Sequence, residues 1–155
     1  MDFRIYEVNN PQHEIYAHSA KEVYDYLEQY SKADKEIFMV LCFNAKNRLI
    51  ECVPVSFGTV DCSAVYPREI IRECIRTSAS SVILAHNHPT GDPEPSTQDK
   101  AITKRLVWCL KLIDIKTLDH IVIGQGRYYS FCDNGLIFDY ERAFCDFTRR
   151  LDIDI

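Results

Sequence analysis

The stretch Ser81-Val82-Ile83-Leu84-Ala85-His86-Asn87-His88-Pro89-Thr90-Gly91-Asp92-Pro93-Glu94-Pro95-Ser96-Thr97-Gln98-Asp99 decides the fold and the chemistry together. Its opening residues, 81–85, are an apolar, β-branched run that predicts a buried strand. In extended backbone alternate side chains share a face, so His86 and His88 point one way and Asn87 the other. Pro89, Gly91, Pro93 and Pro95 forbid both a longer strand and a helix, forcing a stiff loop that folds Asp99 back toward the imidazoles. Two histidines and a carboxylate then converge, a donor set that suits zinc and leaves a fourth position for water. Ser96 and Asp99 also fit the N-cap and third residue of a helix, so a structural reading of that pair stands beside the metal reading.

Beyond Asp99 the spacing predicts a helix with Ile102, Leu106, Cys109, Leu110 and Ile113 on its inner face. Ile115–Ile123 and Arg127–Cys132 flank Gly124-Gln125-Gly126 as a hairpin, Asp133-Asn134-Gly135 turns the chain, and a short helix is expected between Tyr140 and Arg150. Before Ser81, Pro67 opens a helix that carries Ile70, Ile71, Cys74 and Ile75 inward and stops near Ser78 to Ser80. Residues 58–66 read as a loop. Glu36–Phe43 and Leu49–Val55 read as strands joined by Asn44-Ala45-Lys46-Asn47, and Pro54 puts the second near an edge. Ser19 and Glu22 have capping-box spacing ahead of a helix over 20–31, whose apolar face is Val23, Tyr24, Leu27 and Tyr30. Residues 1–18 form an extension in which only a short strand, Phe3 to Val8, is expected. The whole reads as one α/β domain over 1–155, a mixed sheet flanked by helices with a C-terminal tail over 139–155.

Composition narrows the function classes. The chain has 155 residues, one domain's length, and its 18 basic against 23 acidic residues give a net charge of -5. That balance lacks the basic footprint of a dedicated nucleic-acid binder. No apolar run is long enough to span a membrane and the first residues have no signal-peptide core, so a cytoplasmic protein is expected. Seven cysteines, odd in number and never in a Cys-x-x-Cys pair, indicate neither a disulfide framework nor a thiolate zinc site. They read as small buried hydrophobes. His13 and His18 read as surface residues. His120 reads most simply as a buried hydrogen-bonded residue, with a place behind the metal site as the alternative.

His86-x-His88 followed by Ser96 and Asp99 resembles the JAMM (MPN+, JAB-domain) metalloprotease signature His-x-His-x7-Ser-x2-Asp. The longer text from His86 to Asp99 is similar to the RadC branch of that superfamily. So are Tyr66-Pro67-Arg68-Glu69, Asn44-Ala45-Lys46-Asn47, Gly58-Thr59 and Leu118-Asp119-His120-Ile121, over about residues 20–138. The resemblance implies the JAB/MPN architecture, which is cytidine-deaminase-like. It also implies zinc on His86, His88 and Asp99, and a glutamate on the strand after the first helix. Glu36 is the match. Glu51, mid-strand, lies in no segment that matches. The implied chemistry is hydrolysis of a peptide or isopeptide bond by metal-activated water, with Glu36 as base then acid and Ser96 donating to the oxyanion.

Departures from the resemblance matter too. RadC proteins usually carry an N-terminal helix-hairpin-helix region associated with DNA, and this chain begins almost at the catalytic domain. Thr90 stands where a serine is common. The rival reading is a DNA-repair-associated accessory protein with a structural metal, which the net charge does not favour. The adjacent letters His86-Asn87-His88 are not the spaced constellation of an HNH nuclease, and a zinc deaminase needs a Pro-Cys-x-x-Cys partner that is absent here. The expected partner is a peptide or protein conjugate, with no membrane; whether a homodimer forms is left open.

Overall fold

The computed structural model describes residues 14–58 and 65–155. Ile37–Phe43 (β1), Leu49–Phe57 (β2), Ser81–Asn87 (β3), Lys116–Ile123 (β4) and Tyr128–Ser130 (β5) form one sheet in the order β2-β1-β3-β4-β5. The sheet is mixed: β3 and β4 run parallel, while β1 is antiparallel to both β2 and β3, and β5 is antiparallel to β4. Both β1 and β3 are buried along their whole length, which is why they read as continuous apolar runs rather than alternating ones.

Alternation along β1 sorts the core into layers. Ile37, Met39, Leu41 and Phe43 pack with Val23, Leu27 and Tyr30 of helix Ala20–Leu27 (α1) and its trailing 3-10 turn, Glu28–Lys32. Phe38, Val40 and Cys42 face the other way, onto helices Pro67–Arg76 (α2) and Thr97–Leu112 (α3). His86 and His120 have the parity of Leu84 and Val122, so they lie on the α3 side of the sheet. Pro54 sits in β2, an edge strand, where its missing N–H costs no ladder bond on the open side.

Several expectations need correction. Ile75 is 68% exposed, because it lies over 100° around α2 from the Ile70–Cys74 stripe. Ile113 is exposed because α3 ends at Leu112; the chain turns at Asp114 (φ 60) and Ile115 takes the buried position instead. The expected short C-terminal helix is a 15-residue one, Leu136–Arg150 (α4), starting directly after Gly135. Tyr140, Phe144 and Phe147 turn toward α3, while Phe138 is exposed: the Trp108 indole N–H donates to the Tyr140 carbonyl at 2.9 Å, and its ring meets Phe144 and Phe147. Cys42, Cys52 and Cys74 are buried as expected, whereas Cys132 and Cys145 are exposed. The strand expected at Phe3 to Val8, most of the loop over 58–66, His13 and Cys62 lie outside the described residues.

Two buried polar side chains stitch the sheet. Asn87, on the face opposite the histidines, accepts the Ile37 N–H at 2.7 Å and donates to the Lys35 carbonyl at 2.9 Å, gripping the chain on both sides of Glu36. Asp119 accepts the His120 N–H (2.7 Å), the Cys132 N–H (2.8 Å) and the Ser130 hydroxyl (2.6 Å), fastening β4 to the turn before α4. Burial pushes the Asp119 carboxyl up to about 6 against those three donors.

Asn87→Ala leaves the buried Ile37 N–H without its partner and frees the part-buried Lys35 carbonyl, and should cost about 1–3 kcal/mol, read as the loss of unfolding free energy in denaturant. An unchanged midpoint contradicts the grip. Because the folded Asp119 binds its proton more tightly than the unfolded chain does, its contribution is fully present below about pH 4 and lost as pH rises through about 6. Wild type should therefore lose about 2–3 kcal/mol relative to Asp119→Asn over that window in chemical denaturation; a difference flat with pH contradicts it.

Candidate metal centre

The antiparallel ladder of β1 and β3 sets Phe38 opposite His86, so two residues beyond that pair Glu36 comes abreast of His88. Glu36 is held there by the Gly58 N–H on its carbonyl at 2.8 Å as well as by Asn87 on its neighbours. After β3 the loop is fixed by backbone bonds. The His88 N–H donates to the Ile123 carbonyl and the Gln125 N–H to the Gly91 carbonyl. Gly91 has φ 85, a conformation that favours glycine. A Cβ at Gly124 would stand 2.5 Å from the Gly91 carbonyl and 2.8 Å from Pro93, so the loop nests directly on the β4–β5 turn.

The loop delivers the chain to α3 through a capping box. The Ser96 hydroxyl oxygen accepts the Asp99 N–H at 3.0 Å, and the Asp99 carboxylate accepts the Ser96 N–H at 2.8 Å. The cap reading holds, and the cap also turns the carboxylate toward the histidines. Asp99 Oδ2 is 3.2 Å from His88 Nε2, Asp99 Oδ1 is 3.4 Å from His86 Nε2, and the two Nε2 atoms are 3.0 Å apart. Glu36 Oε1 stands 3.7 Å from each Nε2. Among the described residues, Glu36, His86, His88 and Asp99 offer donor atoms all within 4.8 Å of one another. The fifty residues between Glu36 and the histidines are closed by strand pairing, as the choice of Glu36 requires. Glu51 is elsewhere, ion-paired to Arg76.

This cluster calls for positive charge. His88 Nδ1 faces the Asp92 carbonyl at 2.7 Å, which can only accept, so Nδ1 carries the hydrogen and a neutral His88 turns a bare lone pair on Nε2 inward. At 3.0 Å the two Nε2 atoms cannot both carry hydrogen. Burial would raise Asp99, yet the hydrogen bonds to His86, His88 and Ser96 hold it well below the ordinary carboxylate range. Burial would lower His88, but Asp99 and the Asp92 carbonyl outweigh it and raise its affinity for a proton. Donor atoms of a tetrahedral ion with bonds of about 2.0–2.1 Å lie about 3.3 Å apart, close to the spacings of His86, His88 and Asp99. These residues fit a divalent metal, and Glu36 is the member set farther off.

Behind the cluster stand residues whose roles sequence spacing does not reveal. His86 Nδ1 meets His120 Nε2 at 2.7 Å, and His120 Nδ1 meets the Thr103 hydroxyl at 2.6 Å. Thr103 lies one helical turn beyond Asp99, the one signal that could have marked it. Burial, with His86 beside it, keeps His120 well below the ordinary histidine range. His18 is exposed, as expected. A cavity of about 510 Å³ opens beside Glu36 between Asp34, Lys35, Gly58, Pro89 and Thr90. A larger one, about 670 Å³, lies around Trp108, Phe144 and Phe147 and shares no residue with the cluster, so cavity size does not mark the chemistry here.

The model of the RadC-like JAB domain matches residues 17–136. The chain belongs to this family. It is 53% identical over 102 residues to a UPF0758 protein of Symbiobacterium thermophilum, covering 66% of this chain and 44% of that one. A UPF0758 protein of Clostridioides difficile is 47% identical over 112 residues, covering 72% and 48%, and one of Pelobacter propionicus is 46% identical over 121 residues, covering 77% and 52%. The chain spans about half the length of the curated relatives it matches. The mixed five-stranded sheet with its four helices is consistent with the JAB fold. Among the described residues no helix is long and apolar enough to cross a membrane.

The full chain is expected to bind about one divalent transition metal and to lose it on His88→Ala or Asp99→Ala, measured by metal analysis after equilibrium dialysis. Lowering the pH should release the ion, because proton and metal compete for the same His88 lone pair. Retention of the ion by both variants contradicts the donor assignment.

Proposed function

We propose that this RadC-like JAB domain is a zinc-dependent hydrolase of peptide or isopeptide bonds. The meeting of Glu36 with His86, His88 and Asp99 carries this reading, because it sets a second carboxylate 3.7 Å from both Nε2 atoms, beside three candidate metal donors. His86, His88 and Asp99 would hold zinc, which would supply a Lewis acid for lowering the pKa of water and polarising a carbonyl. Glu36 moves the proton. Its carboxylate accepts hydrogen from water as the oxygen attacks the carbonyl carbon, then returns it to the leaving nitrogen as the C–N bond breaks, yielding an acid and an amine.

Ser96 has a second task in this scheme. Its oxygen accepts from the Asp99 N–H, which leaves the hydroxyl hydrogen to donate to the carbonyl oxygen as negative charge gathers there. The substrate lies along the cavity beside Glu36, where Pro89 and Thr90 on one wall and Gly58 on the other can admit an extended chain. A peptide or protein conjugate meets those needs.

The test is hydrolysis of a panel of peptides and protein conjugates by the zinc-loaded chain. Glu36→Gln should keep zinc within a few-fold in affinity while lowering turnover by about 10²–10⁴. Loss of zinc along with activity makes Glu36 a ligand instead of a base, and a panel that wild type leaves uncut overturns the hydrolase. Ser96→Ala should lower turnover and also cost about 1 kcal/mol of stability through the lost cap.

A further inference from the structure

His86, His120 and Thr103 are each fully shielded from solvent, and they form one continuous hydrogen-bonded line. The direction of that line is fixed at its far end. The Thr103 hydroxyl has a single hydrogen, and it lies 2.6 Å from the Asp99 carbonyl, which can only accept. Thr103 Oγ1 is left to accept, so His120 Nδ1, at 2.6 Å, must be the donor. A neutral His120 then has a bare Nε2, which accepts from His86 Nδ1–H at 2.7 Å. His86 in turn is left with a bare Nε2, the atom 3.0 Å from His88 Nε2 and 3.4 Å from Asp99 Oδ1. The orientation of one lone pair at the centre is thus dictated from a main-chain carbonyl three side chains away.

Packing keeps the line from rearranging. The His120 ring stacks on Phe131 with centroids 4.8 Å apart, and the Phe38 ring closes its edge at 5.4 Å. Phe38 also lies parallel to His86 at 5.9 Å. The line closes on itself as well: Asp99 contributes its carboxylate to the centre and its carbonyl to Thr103, so β3, β4 and α3 are joined in one ring of polar contacts.

We propose that His120 and Thr103 are positioning residues that lock His86 in its Nδ1–H tautomer and so present its Nε2 lone pair to the metal. The inference rests on the metal-centre part of the functional reading and is independent of whether a bond is cut. A structural histidine in the same place would support folding without governing metal affinity. The distinction lies in what happens when its ring is kept and its nitrogens are removed.

His120→Phe retains a ring between Phe38 and Phe131 but no acceptor for His86 Nδ1–H. His86 can then move its hydrogen to Nε2, toward Asp99, and lose the lone pair. Zinc affinity of the full chain, measured by competition with a chromophoric chelator, should fall about 10–100-fold. His120→Gln, with an acceptor and a donor on one amide, should recover part of the loss. Thr103→Val should weaken zinc binding while Thr103→Ser does not, and this pair decides the matter if His120→Phe fails to fold. In metal-free protein, 15N spectra of the imidazoles should report His86 protonated at Nδ1 in wild type and at Nε2 in His120→Phe. Wild-type zinc affinity in His120→Phe, or in Thr103→Val, overturns the relay and leaves the hydrolase standing. Wild type that binds no zinc overturns the centre itself.

Discussion

Everything at the centre depends on the antiparallel pairing of β1 with β3. It is a ladder of six residue pairs that closes a gap of nearly fifty residues and fixes Glu36 against the end of the histidine strand. Side chains on a strand alternate with a period of two, so a slip of one residue would turn His86 to the α1 face and Asn87 to the α3 face. The apolar alternation of β1 between two different helix layers forbids that slip, since each face of the strand has its own complement of core residues. Register in the core and geometry at the centre are the same constraint.

Much of this was legible in the sequence, for physical reasons that can be named. The Pro/Gly loop, the cap at Ser96 and the apolar strand before His86 are local signals, each carried by backbone preferences within a few residues. The order of strands and helices followed from those signals. What was not legible depends on tertiary context. Thr103 and Asn87 are ordinary residues in isolation; their importance comes from which buried atoms they reach. The C-terminal helix is legible but its start is not, because Tyr140, Phe144 and Phe147 look like insertions in a polar segment until α3 is there to receive them. Ile75 and Ile113 depart for a simpler reason: one points well around α2 from the buried stripe, and the other falls where the helix has already ended.

Capping and metal ligation are commonly weighed as rivals for a residue such as Asp99, and here the cap itself sets the carboxylate among the candidate metal donors. The same oxygen that accepts the Ser96 N–H faces His88. The start of α3 also favours negative charge at that point. Helix start and donor set are therefore built by one carboxylate, and the stability of the helix end holds the donor in place before any ion arrives.

The close seat of Gly91 and Pro93 on Gly124 reaches beyond loop geometry. With no room for a side chain at position 124, the β4–β5 hairpin and the histidine loop cannot vary independently. A residue inserted in either must be answered in the other, so the two behave as a single exchangeable part of the domain.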